Sequence, residues 1–312
     1  MKRVRLVCVL SLGLLGLMVH ACRPNAPSDS AARADRPVVM TTFYPLAFLA
    51  ERIAGGLVDV ECPLPEDADP ATWDPHADVM RRFQSADLIL INGASFEQWV
   101  ARAPLPRSRV VDTTAAKRDE LLRYASAITH SHGMGGTHSH EGIDGHTWLD
   151  PLMALAQAQA IADGMSDAFP EHADAFGRNL LALTTELRAL DRELAGLEAS
   201  MTDVSVICSH PAYNYLGRRY HWNLIVVPMD PAAAVKADDL EALRRAVESA
   251  GPRRIVLWES PTSDGNVAAI RDAIGAESVL YTPCEQPPAE GDFLSVMREN
   301  IERLRTAVSA DG

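Results

Sequence analysis

Cysteine is scarce in this chain: five in 312 residues, two of which, Cys8 and Cys22, fall in the first 22 positions. The other three, Cys62, Cys208 and Cys284, cannot all pair within one chain, and no Cys-x-x-Cys occurs. Three buried thiols are expected, with one disulfide and one thiol as the alternative. Long apolar runs are missing too. The best, residues 6–19, falls short of the roughly 20 residues of a comfortable membrane span. Basic charge is in deficit, with 29 Lys and Arg against 42 Asp and Glu and a net charge of −13. That balance argues against a nucleic-acid partner and suits a surface that gathers cations. Absent as well are His-Glu-x-x-His, Gly-x-Ser-x-Gly and Gly-x-x-x-x-Gly-Lys, the signatures of a zincin, a serine hydrolase and a phosphate loop.

Histidine, by contrast, is concentrated. Of ten in the chain, His130, His132, His138, His140 and His146 lie between 129 and 151, the first four as two His-Ser-His triplets around Gly-Gly. The glycines forbid a stable helix, so a mobile, solvated loop over 129–146 is expected. Neutral imidazole is a common zinc ligand, and histidines at alternate positions can wrap a cation without a preformed cage. Metal handling is the leading reading; a polar insert that binds metal only adventitiously is the bland one.

The N-terminus reads as an export signal over residues 1–21: Met-Lys-Arg-Val-Arg, the apolar run, then Val19-His20-Ala21-Cys22. That tetrapeptide resembles a lipoprotein processing site, with Cys22 as the lipid-modified residue; an ordinary signal peptide is the alternative. Residues 22–36 form a tether without apolar pattern, which would leave the folded body outside the cytoplasm beside a membrane. Removing 1–21 takes away Lys2, Arg3 and Arg5 and no acid, so the body is more acidic still.

Within the body, strand patterns at 36–45 (ending in a turn), 58–62, 87–92 and 109–112 alternate with helical ones at 46–54 and 77–85. A second set of strands is expected at 204–208, 223–227, 254–258 and 278–281, with helices at 237–250 and 266–274 between them. Strands alternating with helices imply βαβ units and a parallel sheet covered on both faces. Between the two sets, a helix begins at Pro151 and a longer one follows Pro170. In the longer one Phe176, Leu180, Leu183, Leu187, Leu190, Leu194 and Leu197 recur at spacings of four and three, one stripe roughly 30 Å long at 1.5 Å per residue. The fold expected is α/β: two lobes, each with a roughly four-stranded parallel sheet, joined by one long rigid helix, with a cleft between them. The boundaries are 37–168 for the first lobe, 169–200 for the linking helix and 201–312 for the second lobe.

Ligands of open α/β sheets bind outside the carboxyl ends of strands. His210 follows the strand at 204–208 and Glu259 follows that at 254–258; Asp69, Asp74 and His76 lie in the loop after the second strand. A strand-end histidine or glutamate also serves simply to cap backbone.

Several segments together resemble the zinc/manganese solute-binding lipoproteins of metal ABC transporters, the TroA-like, ZnuA-type group: Thr-Thr-Phe-Tyr-Pro at 41–45, Ala-Asp-Pro at 68–70, Ala-Asp-Leu-Ile-Leu-Ile-Asn-Gly at 86–93, His-Thr-Trp-Leu-Asp-Pro at 146–151 and Ser-His-Pro-Ala-Tyr at 209–213. The resemblance covers nearly all of the mature chain. It implies a non-enzymatic receptor, monomeric, that holds a metal in the cleft and hands it to a membrane permease powered by a separate ATPase. It carries the second family ligand onto His146 and the third onto His210. The first falls on Ala71, in Asp69-Pro70-Ala71, and is missing; His76 is the nearest substitute, with His132 or His140 of the loop as others. The fourth, an aspartate, falls around Thr282-Pro283-Cys284 and is also expected to be lost, with Glu259, or less readily Cys284, in its place. Imidazoles with one carboxylate suit zinc better than manganese. His130, His132, His138 and His140 would be an auxiliary collector. A secreted zinc hydrolase built on His146, His210 and Glu259, an adhesin or metal-sensing lipoprotein, and a receptor for another metal are the rivals.

Overall fold

The computed structural model describes residues 36–124 and 142–309, and the backbone alone of 128–131 and 137–140; Cys22 and His132 lie outside the described residues. Short runs of Val, Ile and Leu make the first sheet: Val38–Thr41 (β1), Asp59–Glu61 (β2), Leu88–Ile91 (β3) and Val110–Asp112 (β4). All pair in parallel in the order β2-β1-β3-β4, with Met40 opposite Ile89. β3 is buried along its whole length, as an unbroken Leu-Ile-Leu-Ile requires. Helices Tyr44–Ala54 (α1) and Ala77–Ser85 (α2) supply the crossovers.

The histidine-rich stretch is ordered differently from the loop expected of it. Ile128–Ser131 (β5) and Thr137–His140 (β6) pair antiparallel, His130 opposite His138 and Ile128 opposite His140. Gly133, Gly135 and Gly136 fall between the two strands, so the residues that forbid a helix leave the alternating triplets able to pair.

The next helix, Pro151–Ala168 (α3), starts where Asp150 accepts from the backbone N–H groups of Leu152 (2.9 Å) and Met153 (3.4 Å), with Pro151 in the first turn. The expected linking helix, 169–200, is divided: a short turn at Pro170–His172, then Ala173–Ala195 (α4), then, past Gly196, Glu198–Met201 (α5). On α4 the stripe from Phe176 to Leu194 is buried. It packs on α1 and α3 of the first lobe and on Phe293–Ser309 at the end of the second.

The second sheet comprises Val204–Cys208 (β7), Asn223–Val226 (β8), Arg253–Trp258 (β9) and Glu277–Leu280 (β10), parallel in the order β10-β9-β7-β8. Asn214–Tyr220 (α6), Ala237–Ala246 (α7), Asp264–Ile274 (α8) and Phe293–Ser309 (α9) complete it. Of the three described cysteines, Cys208 and Cys284 are buried and Cys62 is exposed, all as free thiols, so the expectation of three buried thiols holds for two. Among the described residues no helix is long and apolar enough to cross a membrane.

Pro37–Gly312 form one unit, and its largest core runs without a break from Val39 of β1 through the α4 stripe to Ile255 of β9 and Val308 of α9. A smaller cluster without α4 residues covers the other face of each sheet, and the α4 stripe belongs to the one cluster the two sheets share. Leu187→Ala, at a fully buried point of the stripe, is therefore expected to cost about 2–5 kcal/mol. Both lobes should unfold in one urea transition, read by far-ultraviolet dichroism and tryptophan fluorescence. Separate transitions for the two probes would contradict a shared core.

Candidate metal centre

His146 lies between the hairpin and α3, in a segment fixed by buried side-chain amides and hydroxyls. Asn92, at the end of β3, donates from Nδ2 to the Gly145 carbonyl (2.9 Å). Gln157 of α3 donates from Nε2 to Asn92 Oδ1 (2.9 Å) and to Thr113 Oγ1 (3.0 Å), and Thr147 donates from Oγ1 to Gln157 Oε1 (3.2 Å). The chain passes close to Phe96 here. A Cβ on Gly145 would stand 2.7 Å from the Phe96 side chain, so only glycine fits. Phe96 and Trp148 flank the His146 ring, at centroid distances of 5.8 and 5.3 Å.

His210 comes from the other lobe, two residues past β7. Ser209 locks the strand end, donating from both its backbone N–H (3.1 Å) and its hydroxyl (2.9 Å) to the Leu257 carbonyl of β9. Both histidines are buried, at 1% and 3% exposure. Their rings meet edge to face, with the two Nε2 atoms 3.3 Å apart.

A carboxylate stands behind each ring. Asp144 Oδ1 lies 2.8 Å from His146 Nδ1 and Glu259 Oε2 lies 3.0 Å from His210 Nδ1. Acceptors at both Nδ1 positions assign the ring protons there and leave both Nε2 lone pairs facing one another. A third carboxylate is on the shared side: Glu285 Oε1 lies 3.6 Å from His146 Nε2. In tetrahedral zinc geometry, bonds of about 2.0–2.1 Å put ligand atoms about 3.3 Å apart. The Nε2–Nε2 spacing matches that edge and the Nε2–Oε1 spacing is slightly longer. Among the described residues these donors do not yet close into a cage of three.

Glu259 occupies the Nδ1 edge of His210, because the turn after β9 brings it behind the ring. Glu285, directly after Thr282-Pro283-Cys284, lies on the Nε2 side of His146. Cys284 instead turns its thiol toward the Gln286 carbonyl (3.8 Å) with a left-handed backbone (φ 59°). His76 is exposed at the N-cap of α2, while Ala71 is buried where the first family histidine falls. Asp69 accepts from the Ala71 N–H (2.8 Å). Of the loop histidines, His130, His138 and His140 have only their backbone described. Asp144 and Glu285 were missed; the one signal for each is a carboxylate one or two residues from a recognised motif.

Burial alone lowers the His146 imidazolium, but the hydrogen bond and charge of Asp144, joined by the charges of Glu285 and Asp69, outweigh it and raise the group above its ordinary value. A raised folded value stabilises the metal-free protein fully below the ordinary imidazole pKa of about 6.5, and that stability is lost as pH rises through the raised value. Hence the stability difference between the chelator-treated parent and His146→Gln, from urea titrations, should shrink as pH rises above the ordinary imidazole value; a difference that grows with pH would refute the assignment. Gly145→Ala is expected to cost about 1–3 kcal/mol through the clash with Phe96, and an unchanged urea midpoint would show that the segment gives way freely.

Residues 39–307 match the model of the ZnuA family, described as zinc-uptake complex component A, periplasmic. The chain is 26% identical over 323 residues to the zinc-binding lipoprotein AdcA of Streptococcus pneumoniae serotype 4, covering all of this chain but 62% of AdcA, so it spans less than two thirds of that relative. It is 23% identical over 301 residues to the high-affinity zinc uptake system protein ZnuA of Bacillus subtilis, covering 94% of each. Among solved structures, the Zn(II)-bound ZnuA-like domain of S. pneumoniae AdcA superposes with a TM-score of 0.74 at 23% identity, over 88% of this chain and 99% of that one. The solute-binding protein FpvC of Pseudomonas aeruginosa, in complex with Mn2+, gives 0.69 at 21%, over 89% and 100%. At such identities the superpositions establish the two-lobed fold. The family model spans both sheets and every segment of the site, and the chain belongs to the ZnuA family of periplasmic zinc-uptake components.

Proposed function

We propose that this chain is an extracytoplasmic receptor that captures a divalent cation, zinc in preference to manganese, between its lobes and delivers it to the permease and ATPase of a metal importer. One observation carries the reading: two buried imidazoles from opposite lobes present Nε2 atoms to each other at 3.3 Å, each backed by a carboxylate. With both ring protons drawn to the Nδ1 carboxylates, such an approach favours a cation between the rings, a proton or a metal. His146, His210 and Glu285 supply the donors, and Asp144 and Glu259 hold the rings. Two nitrogens and one oxygen suit zinc's preference for imidazole over the all-oxygen sets favoured by manganese.

The surroundings support a cation as cargo. A cavity of about 530 Å3 beside the pair is lined by Glu66, Asp67, Asp69, Asp230, Glu259 and Glu285 and by no basic residue. A cleft of one sign concentrates the opposite ion and speeds its entry. A hydrolase on His146, His210 and Glu259 would need Glu259 at the metal, and that carboxylate lies at Nδ1 of His210 instead. The wider reading, with a lipid anchor on Cys22, a monomeric body and an auxiliary collector at His130, His132, His138 and His140, rests on the sequence and on the names of the relatives.

Zinc calorimetry on a soluble form starting after Cys22 tests the reading. One-to-one binding is expected to vanish in His210→Ala and to survive deletion of residues 129–141. Glu285→Gln should weaken it more than Glu259→Gln, for which a loss of about 10–100-fold is expected of a group behind a ligand. Binding that disappears with 129–141 and ignores His210→Ala would overturn the cleft as the site.

A further inference from the structure

Asp144 is more heavily bonded than its neighbours in the cleft, and its partners come from both lobes. Its Oδ1 accepts from the His146 backbone N–H (3.0 Å), from His146 Nδ1 (2.8 Å) and from the Tyr124 hydroxyl (2.9 Å). Its backbone N–H donates to the Leu122 carbonyl (2.8 Å). These groups belong to the first lobe. The remaining bonds cross the cleft to α6: Asn214 donates from Nδ2 to Asp144 Oδ2 (2.9 Å), and the Tyr215 hydroxyl donates to the Asp144 carbonyl (2.8 Å). The same hydroxyl accepts from the Leu122 N–H (3.0 Å). Asp144 itself is wholly buried. Asn214 stands four residues after His210, at the start of the helix that His210 leads into.

We infer that Asn214 and Tyr215 are positioning residues for the metal site: reaching across from the second lobe, they hold Asp144, and through it His146, in the orientation that directs Nε2 at His210. This rests on the proposed reading of the pair as the cargo site. The physical reason is the number of ways a carboxylate can turn. With bonds on Oδ1 alone, Asp144 rotates about its Cβ–Cγ axis and takes the imidazole with it. A donor fixed on Oδ2 stops that rotation, and the bond to the carbonyl fixes the backbone that carries it. Both donors sit on one short helix immediately after the other ligand. One lobe thus supplies His210 directly and sets the aim of His146 indirectly, so a metal finds both donors aligned only while α6 is seated against residues 122 and 144.

Other ties seat α6 without touching Asp144. Arg219 Nε lies 2.5 Å from Asp150 Oδ1 at the head of α3 and 3.7 Å from Asp191 Oδ1 on α4. That pairing separates positioning from mere docking of the lobes. Asn214→Leu removes the donor at similar volume, Tyr215→Phe removes only a hydroxyl, and Arg219→Ala loosens the docking while leaving Asp144 its partners.

The test is zinc affinity by competition with a chelator, together with the visible absorption of the cobalt(II) form, for the parent and the three variants. Asn214→Leu is expected to lose about 10–100-fold in zinc affinity and to change the cobalt(II) band, with Tyr215→Phe smaller in the same direction and Arg219→Ala retaining parental affinity and spectrum. Parental affinity and spectrum in both Asn214→Leu and Tyr215→Phe, in a parent that binds zinc, overturn the inference. So does an equal loss in Arg219→Ala, which would assign the effect to docking alone. A parent whose zinc binding does not depend on His210 overturns the reading of the pair instead, and the inference with it.

Discussion

Two unprotonated nitrogens aimed at each other inside a protein repel, so with a carboxylate at each Nδ1 edge a positive charge between the rings stabilises the buried pair of His146 and His210. Everything near it serves that requirement. Asp144 and Glu259 fix the proton of each ring on Nδ1, which both exposes the Nε2 lone pairs and makes them better donors. Glu285 and Asp69 add negative field on His146 without sharing a ring nitrogen as closely as Asp144 does. On the proposed reading a proton or the cargo would occupy this position, and the two would compete for it. Burial sharpens the contest, because a charge removed from water interacts more strongly with its neighbours.

The fold makes this convergence rigid. The second sheet delivers its site segments from strand ends: β7 leads to His210, β9 to Glu259 and β10 to the loop carrying Glu285. That last loop is held from the first lobe. Trp148 donates from Nε1 to the Pro283 carbonyl (2.9 Å), and Gln286 donates from Nε2 to the carbonyls of Pro65 (2.9 Å) and Ala68 (2.8 Å). The left-handed backbone at Cys284 is the local cost of turning Glu285 inward, since a side chain with a Cβ disfavours that region. With one core running through α4, the two sheets form a single packed body, and the site is built by stitching loops across it.

Periodicity explains which parts of this were legible. The strands of both sheets, the α4 stripe and the strand-end position of His210 follow from patterns of period two and 3.6, while His146 stands out by the histidine-rich stretch and by the family resemblance of His-Thr-Trp-Leu-Asp-Pro. Helix α6 went unassigned because Asn214–Tyr220 is seven residues rich in aromatic and basic side chains, with no apolar stripe of its own. The hairpin of β5 and β6 hid behind its glycines, which composition reads as loop although they fall between the strands. A strand-end carboxylate points to the cleft in either role, and only coordinates distinguish the Nε2 edge of a histidine from its Nδ1 edge. Glu285 lay one residue beyond the expected segment, where a single-residue shift in an irregular loop leaves no pattern to read.

The missing first histidine changes the electrostatics more than the shape. Ala71 is buried and adds no donor, and the neighbouring Asp69 is engaged by its own turn through the Ala71 N–H and the Thr72 hydroxyl. A neutral imidazole is therefore replaced by carboxylate field alone. Asp144, Glu259 and Glu285 together carry more negative charge than one divalent ion neutralises, and Asp69 adds to it. The same acids that would draw a dication also raise the proton affinity of His146, so on the proposed reading tighter capture at neutral pH would come with earlier release on acidification. A site with a third neutral histidine in place of Ala71 would gain a donor atom without adding to that field. On that reading the acids around the pair would set the pH sensitivity of capture, chiefly Asp144, whose own position is held from the opposite lobe.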